Sequence, residues 1–137
     1  LETLKERFPR ILFIGPRPYR ELGSNLAAAD ALILPNTARD IVSARFTSPL
    51  KLFAYMASRV PIVASDVPSL REILNDDTAF WFVADDPADL ASAIRRVFDE
   101  PERAAQKGLR AREDVHQYAW EVRAKRIEDF LSLAAQK

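Results

Sequence analysis

The chain has 137 residues, 48% of them apolar, and its 20 Lys and Arg balance its 20 Asp and Glu. This is the composition of one globular domain, spanning 1–137, with no electrostatic bias, which argues against nucleic acid as a partner. Cysteine is absent, so disulfides and thiolate chemistry are excluded, and with only His116 and carboxylates as ligands no metal or cofactor is expected.

The longest apolar stretch runs from Ala79 to Ala84, far short of the ~20 residues that a spanning helix needs. No signal-peptide layout opens the chain, so the default location is cytoplasmic. A first residue Leu1 rather than methionine fits a piece of a longer protein.

Short apolar runs alternate with helical patterns along the chain, the sequence form of parallel strands joined by helical crossovers. Arg10–Ile14 is the first predicted strand and ends at Gly15-Pro16. A helix from Tyr19 to about Ala29 follows, with Leu22, Leu26 and Ala29 at helical spacing despite a costly Gly23. Ala31–Leu34 is the second strand and ends at Pro35-Asn36. The next connection, Asn36 to Thr47, is about twice the usual length, and loops that long are often functional. It leads to a helix over Pro49–Ser58, with Ser48 as N-cap, Pro49 at the first helical position, and Leu50, Phe53 and Ala57 on one face.

Pro61–Ala64 is the third strand, ending at Ser65-Asp66. Ser69 and Glu72 have the spacing of a capping box, so a short helix is expected to start at Ser69. Ala79–Val83 is the fourth strand. Asp86 then caps a helix with Pro87 in its first turn, running to about Asp99, and Glu100-Pro101 breaks it and opens the next. The remainder to Lys137 is predicted as two helices with a joint near Gln117-Tyr118. All four strands are continuous rather than alternating apolar runs, as befits a parallel sheet covered on both faces. The expected fold class is a three-layer α/β/α lobe of Rossmann-like type with a helical C-terminal tail.

Lys51 is the odd residue. A cation in the first turn opposes the helix dipole, and an anion bound at that helix start would reverse the penalty, because free backbone N–H groups, the Ser48 hydroxyl and the Lys51 ammonium would converge on it. The bland alternative is an ordinary capped helix with a solvent-pointing lysine. Ligands of open parallel sheets bind beyond the carboxyl ends of strands, and the loop after Leu34 leads from such an end into this helix.

Ser48-Pro49-Leu50-Lys51-Leu52-Phe53-Ala54-Tyr55-Met56-Ala57, followed by the stretch from Pro61 to Leu74, resembles the C-terminal lobe of family-4-type retaining glycosyltransferases of the GT-B architecture. Phe13-Ile14-Gly15, the stretch from Ala28 to Pro35, and Tyr118-Ala119-Trp120-Glu121 extend the likeness over nearly the whole chain. The resemblance implies a nucleoside diphosphate sugar as donor, its phosphates held by Ser48, Pro49, Leu50 and Lys51. It implies a ribose-binding glutamate where this chain has Ala54, and an earlier glutamate where it has Phe46. A carboxylate accepts two ribose hydroxyls and alanine none, so one polar anchor is lost. Gly15, Arg17 and Asn36, with Tyr19 beside them, are candidates for the nucleotide cleft. The resemblance also implies diphosphate-neutralising Arg and Lys residues upstream of Leu1 and an acceptor pocket in another lobe, through which any peripheral membrane association would run. No catalytic residue is assigned.

The rival from another class is a non-catalytic nucleotide-binding or scaffold lobe, which Ala54 favours. A phosphoacceptor signalling domain would need acidic residues where Gly15-Pro16 stands, and a dinucleotide fold would need a glycine-rich turn that three glycines cannot write. His116 is expected at the surface, Trp81 in a core strand, and Tyr118 and Trp120 in packing. Asp66 and Asp85 follow strands without an assigned role.

Overall fold

A computed structural model describes residues 6–47 and 50–134. After a 3-10 turn at Tyr19–Glu21 come α1 (Leu22–Ala27), β1 (Leu32–Leu34), a π-helical turn at Val42–Phe46, α2 (Leu50–Ser58), β2 (Ile62–Ser65) and α3 (Pro68–Arg71). Then follow β3 (Phe80–Phe82), α4 (Pro87–Asp99), α5 (Pro101–Asp114), a 3-10 turn at Val115–Tyr118 and α6 (Trp120–Ala134).

The strands form one parallel sheet in the order β1-β2-β3, with Leu32 opposite Ile62, Leu34 opposite Ala64, and Val63 opposite Phe80. Side chains alternate across a strand, and here both faces are apolar. Ile62 and Ala64 join Leu34, Leu52, Met56 and Leu70 on one side, while Val63, Phe80 and Phe82 meet Ala93 and Val97 of α4 on the other. Helices therefore cover both faces, and the fold class is the expected α/β lobe with a parallel sheet. Asp86 caps α4 by accepting from the amides of Ala88 (2.8 Å) and Asp89 (3.1 Å), and the joint near Gln117-Tyr118 is the 3-10 turn.

Three expectations are corrected. Arg10–Ile14 is no strand: it pairs with nothing among the described residues, and Leu12 is 82% exposed. A buried parallel strand needs a ladder partner on at least one side, and β1, at the sheet edge, hydrogen-bonds only to β2. The capping box at Ser69 is not formed. The N-cap is Val67, two residues before Ser69, and α3 starts at Pro68, because the preset φ and missing N–H of proline suit the first helical position. The buried face of α2 is Leu52 and Met56 rather than Leu50, Phe53 and Ala57; Leu50 is 86% exposed, and Phe53 and Ala57 are half-buried. A helix apolar nearly all round offers periodicity no preferred face, and packing makes the choice.

α5 fastens the far side of the lobe. A side chain at Gly108 would put its Cβ 2.0 Å from the Arg59 carbonyl oxygen, so only glycine permits this approach to the left-handed turn (Arg59 φ 68°) that ends α2. Arg112 donates to the Ala57 carbonyl, and the buried Lys107 donates to the Asp76 carbonyl. Burial pushes the Lys107 amine below its ordinary range.

Candidate functional site at the carboxyl edge of the sheet

β1, β2 and β3 end side by side at Leu34, Ser65 and Phe82, and the loops that leave them make the carboxyl edge. The loop after β1 is braced around Ser43. Its hydroxyl accepts from the Thr37 amide (3.2 Å), and its carbonyl accepts from Asn36 Nδ2 (3.5 Å) and from the Ser69 hydroxyl of α3 (3.0 Å). Asp40 opens the π-helical turn by accepting from the Val42 amide (3.0 Å), and the Thr47 hydroxyl closes it on the Val42 carbonyl (2.9 Å). At the other end of the edge, Asp85 reaches across to accept from the Ala38 amide at 2.9 Å, with Arg39 Nε at 3.9 Å. The Thr37 hydroxyl and the Ala38 amide hold the Asp85 carboxyl below the usual carboxylate range.

From this loop the chain enters α2. Lys51 lies exposed in its first turn, and among the described residues no carboxylate pairs with it. Ala54 is half-buried one turn on. Ser48 and Pro49, half of the expected phosphate stretch, lie outside the described residues. Asn36 is at the edge but spends its amide on the loop. Gly15 and Arg17 lie on an exposed stretch without regular structure, and no hydrogen bond or ion pair ties them to the loop after β1 among the described residues. Asn36 is thus tied into the loop after β1, and Lys51 follows that loop in the chain, in the first turn of α2.

Beneath β2 lies a cluster that sequence reasoning missed. Arg71 donates to both carboxylate oxygens of Asp66 (2.7 and 2.9 Å) and to Asp76 (2.6 Å), while its guanidinium stacks 3.8 Å from the centre of the Trp81 ring. Arg71 holds the carboxyls of Asp66 and Asp76 low, and Asp66 in turn raises Arg71. Three of its donors are engaged by carboxylates on either side of it in the chain, so the cluster is a partly exposed clamp across the loop from α3 to β3. Ser43 and Ser69 carry no sequence signal for bracing the loop after β1 on α3, because the bond between them joins residues 26 apart. The adjacent Asp85 and Asp86 do offer one, since Asp86 alone suffices to cap α4 and leaves Asp85 without a local role.

His116 is exposed, as expected, and Tyr118 packs on Phe53 with ring centres 5.3 Å apart. Trp120, expected in packing, is 77% exposed among the described residues. Two surface hollows, one lined by residues 99–103 and one by Asp76, Asp77, Arg103, Gln106, Lys107 and Arg110, lie away from the carboxyl edge. Among the described residues no group of three His, Asp or Glu is placed to hold a metal, and no helix is long and apolar enough to cross a membrane.

The sequence of residues 1–100 matches the family described as Glycosyl transferases group 1. The chain belongs to that family. It is 28% identical over 132 residues to the D-inositol 3-phosphate glycosyltransferase of Corynebacterium kroppenstedtii, covering 94% of this chain and 27% of that protein. It is 24% identical over 156 residues to the sulfoquinovosyl transferase SQD2 of Arabidopsis thaliana, covering 94% of this chain and 29% of that protein. Among solved structures, the sucrose-phosphate synthase of Thermosynechococcus elongatus superposes with a TM-score of 0.79 at 25% identity, covering 99% of this chain and 34% of that one. Anabaena Alr3699/HepE, in complex with UDP-glucose, superposes with a TM-score of 0.74 at 17% identity, covering 96% of this chain and 36% of that one. The chain thus has the fold of part of a GT-B glycosyltransferase and spans between a quarter and two fifths of the length of these members.

Proposed function

We propose that this chain is the nucleotide-binding lobe of a two-lobed, retaining glycosyltransferase that transfers a sugar from a nucleoside diphosphate sugar to an acceptor held by another part of the protein. The observation that carries the reading is an exposed Lys51 in the first turn of the helix that leaves the carboxyl edge of a group 1 glycosyltransferase sheet. As the bond from the sugar to the diphosphate breaks, negative charge develops on the leaving phosphate. The N-terminal end of α2, the Lys51 ammonium and the Ser48 hydroxyl would stabilise that charge, with Pro49 and Leu50 shaping the approach. No metal is invoked. The reaction is placed in the cytoplasm, with any contact to a membrane surface made through the acceptor-binding part.

Calorimetric titration with UDP, GDP and ADP, alongside amide chemical shifts, tests this. Binding should perturb Leu50 and Lys51, and Lys51→Ala should weaken it by about 1–3 kcal/mol, the range of a charge-assisted hydrogen bond. An unchanged affinity would remove Lys51 from the site.

The second reading is a nucleotide-binding or scaffold lobe without transfer, and Ala54 is the residue that favours it. The whole protein would then bind a nucleoside diphosphate sugar weakly or not at all and would not turn it over.

A further inference from the structure

Asp85 has a positive φ of 65°, a left-handed conformation that glycine would adopt without cost. Its backbone has little freedom to leave that state. The turn between β3 and α4 is pinned at both ends, by the Val83 amide donating to Asp89 at 2.6 Å and by Asp86 capping α4. Aspartate, like asparagine, is among the few side-chain-bearing residues that adopt this conformation readily, so the turn admits it and leaves its carboxylate free to reach a distant partner. Here the side chain spans the sheet edge to the Ala38 amide, 47 residues earlier in the chain. Among the described residues, hydrogen bonds tie the loop of residues 36–47 to the rest of the lobe at two points, Ser69 to the Ser43 carbonyl and Asp85 to the Ala38 amide. Ser69 anchors the middle of the loop, and Asp85 anchors its outer limb.

We propose that Asp85 is a positioning residue, which holds the outer limb of the β1–α2 loop against the sheet edge and thereby orders the approach to the first turn of α2 for a nucleoside diphosphate. The ligand half of this inference rests on the proposed donor site, and the latch half does not. A glycine at 85 keeps the backbone geometry and removes only the side chain, whereas asparagine tolerates the left-handed conformation and still offers an oxygen to the Ala38 amide.

The experiment is amide hydrogen exchange on the ligand-free wild type, Asp85→Gly and Asp85→Asn, paired with UDP titration of the same three proteins. Asp85→Gly should speed exchange at Ala38 roughly tenfold, the loss expected for one hydrogen bond to a charged group, while amides of β2 and β3 keep their protection. It should weaken UDP binding roughly tenfold. Asp85→Asn should restore Ala38 protection and most of the affinity, a rescue that a general loss of stability would not produce. Unchanged exchange at Ala38 in Asp85→Gly overturns the latch. Faster exchange with undiminished UDP affinity overturns its link to the ligand. Failure of the wild type to bind UDP, GDP or ADP, with Ala38 responding as expected, overturns the donor-site reading and the ligand half with it, and leaves the latch established.

Discussion

Ala54 sits half-buried in α2, three residues beyond Lys51, so the two side chains occupy neighbouring parts of one helix surface. A ligand with its phosphates at the helix start could run its ribose along that surface and find no acceptor at position 54. Ala54→Glu should therefore tighten binding of a nucleoside diphosphate by about 1–2 kcal/mol, net of the ordering of the new side chain. The gain should shrink for a 2′,3′-dideoxy analogue and vanish for pyrophosphate, which has no hydroxyl to donate. Calorimetry showing an equal gain for pyrophosphate would place the ribose elsewhere. Arg71 supports a second expectation. Its partners Asp66 and Asp76 have depressed folded-state pKa values, so their contribution to stability is present above the ordinary carboxylate range and is lost as pH falls through the depressed values. Because Arg71 is 36% and Asp76 81% exposed at the side chain, solvent screening keeps the effect small. Urea midpoints followed from neutral pH to about pH 3 should fall more steeply for wild type than for Arg71→Gln. Parallel slopes would show that other carboxylates dominate the acid response.

At the scale of elements, α2 is where packing and pattern part. Leu50, Leu52, Phe53, Tyr55 and Met56 are all large and apolar within nine residues, and the sheet takes Leu52 and Met56. Met56→Ala should cost about 2–5 kcal/mol by opening a cavity beside Leu34 and Ile62, whereas Leu50→Ala should change stability by less than about 0.5 kcal/mol. Chemical denaturation of both variants measures this, and equal losses would contradict the observed face. The helices that were legible in detail are those with strong terminal chemistry. Asp86-Pro87 starts α4 and Glu100-Pro101 starts α5 where the capping and proline preferences put them. Ser69 failed as a cap because Pro68 offered the better first helical residue, which freed the serine hydroxyl for the β1–α2 loop.

At the scale of the molecule, the lobe covers 27% of one glycosyltransferase relative and 34% of one solved neighbour. The 137-residue chain by itself should show no sugar transfer and no appreciable donor hydrolysis, since the proposed acceptor pocket belongs to another part. Release of free sugar from UDP-glucose, GDP-mannose and ADP-glucose is the measurement, and robust turnover by the purified chain would defeat the partial-site reading.

Family, parallel α/β architecture and the starts of α4 at Asp86-Pro87 and of α5 at Glu100-Pro101 were readable from the amino-acid sequence, because the capping and proline signals rest on residues close together in the chain. Lys51 stood out for the same reason, as a cation within one turn of a helix start. The failure at Arg10–Ile14 is of another kind, since a strand exists only by hydrogen-bonding to a neighbour and an apolar run cannot specify that one is present. Likewise the choice of Leu52 and Met56, the stacking of Arg71 on Trp81 while it pairs with Asp66, and the reach of Asp85 to Ala38 were decided by the tertiary structure alone. Each depends on groups brought together from distant parts of the chain by the burial of the sheet, and local sequence carries no record of which distant group will be opposite.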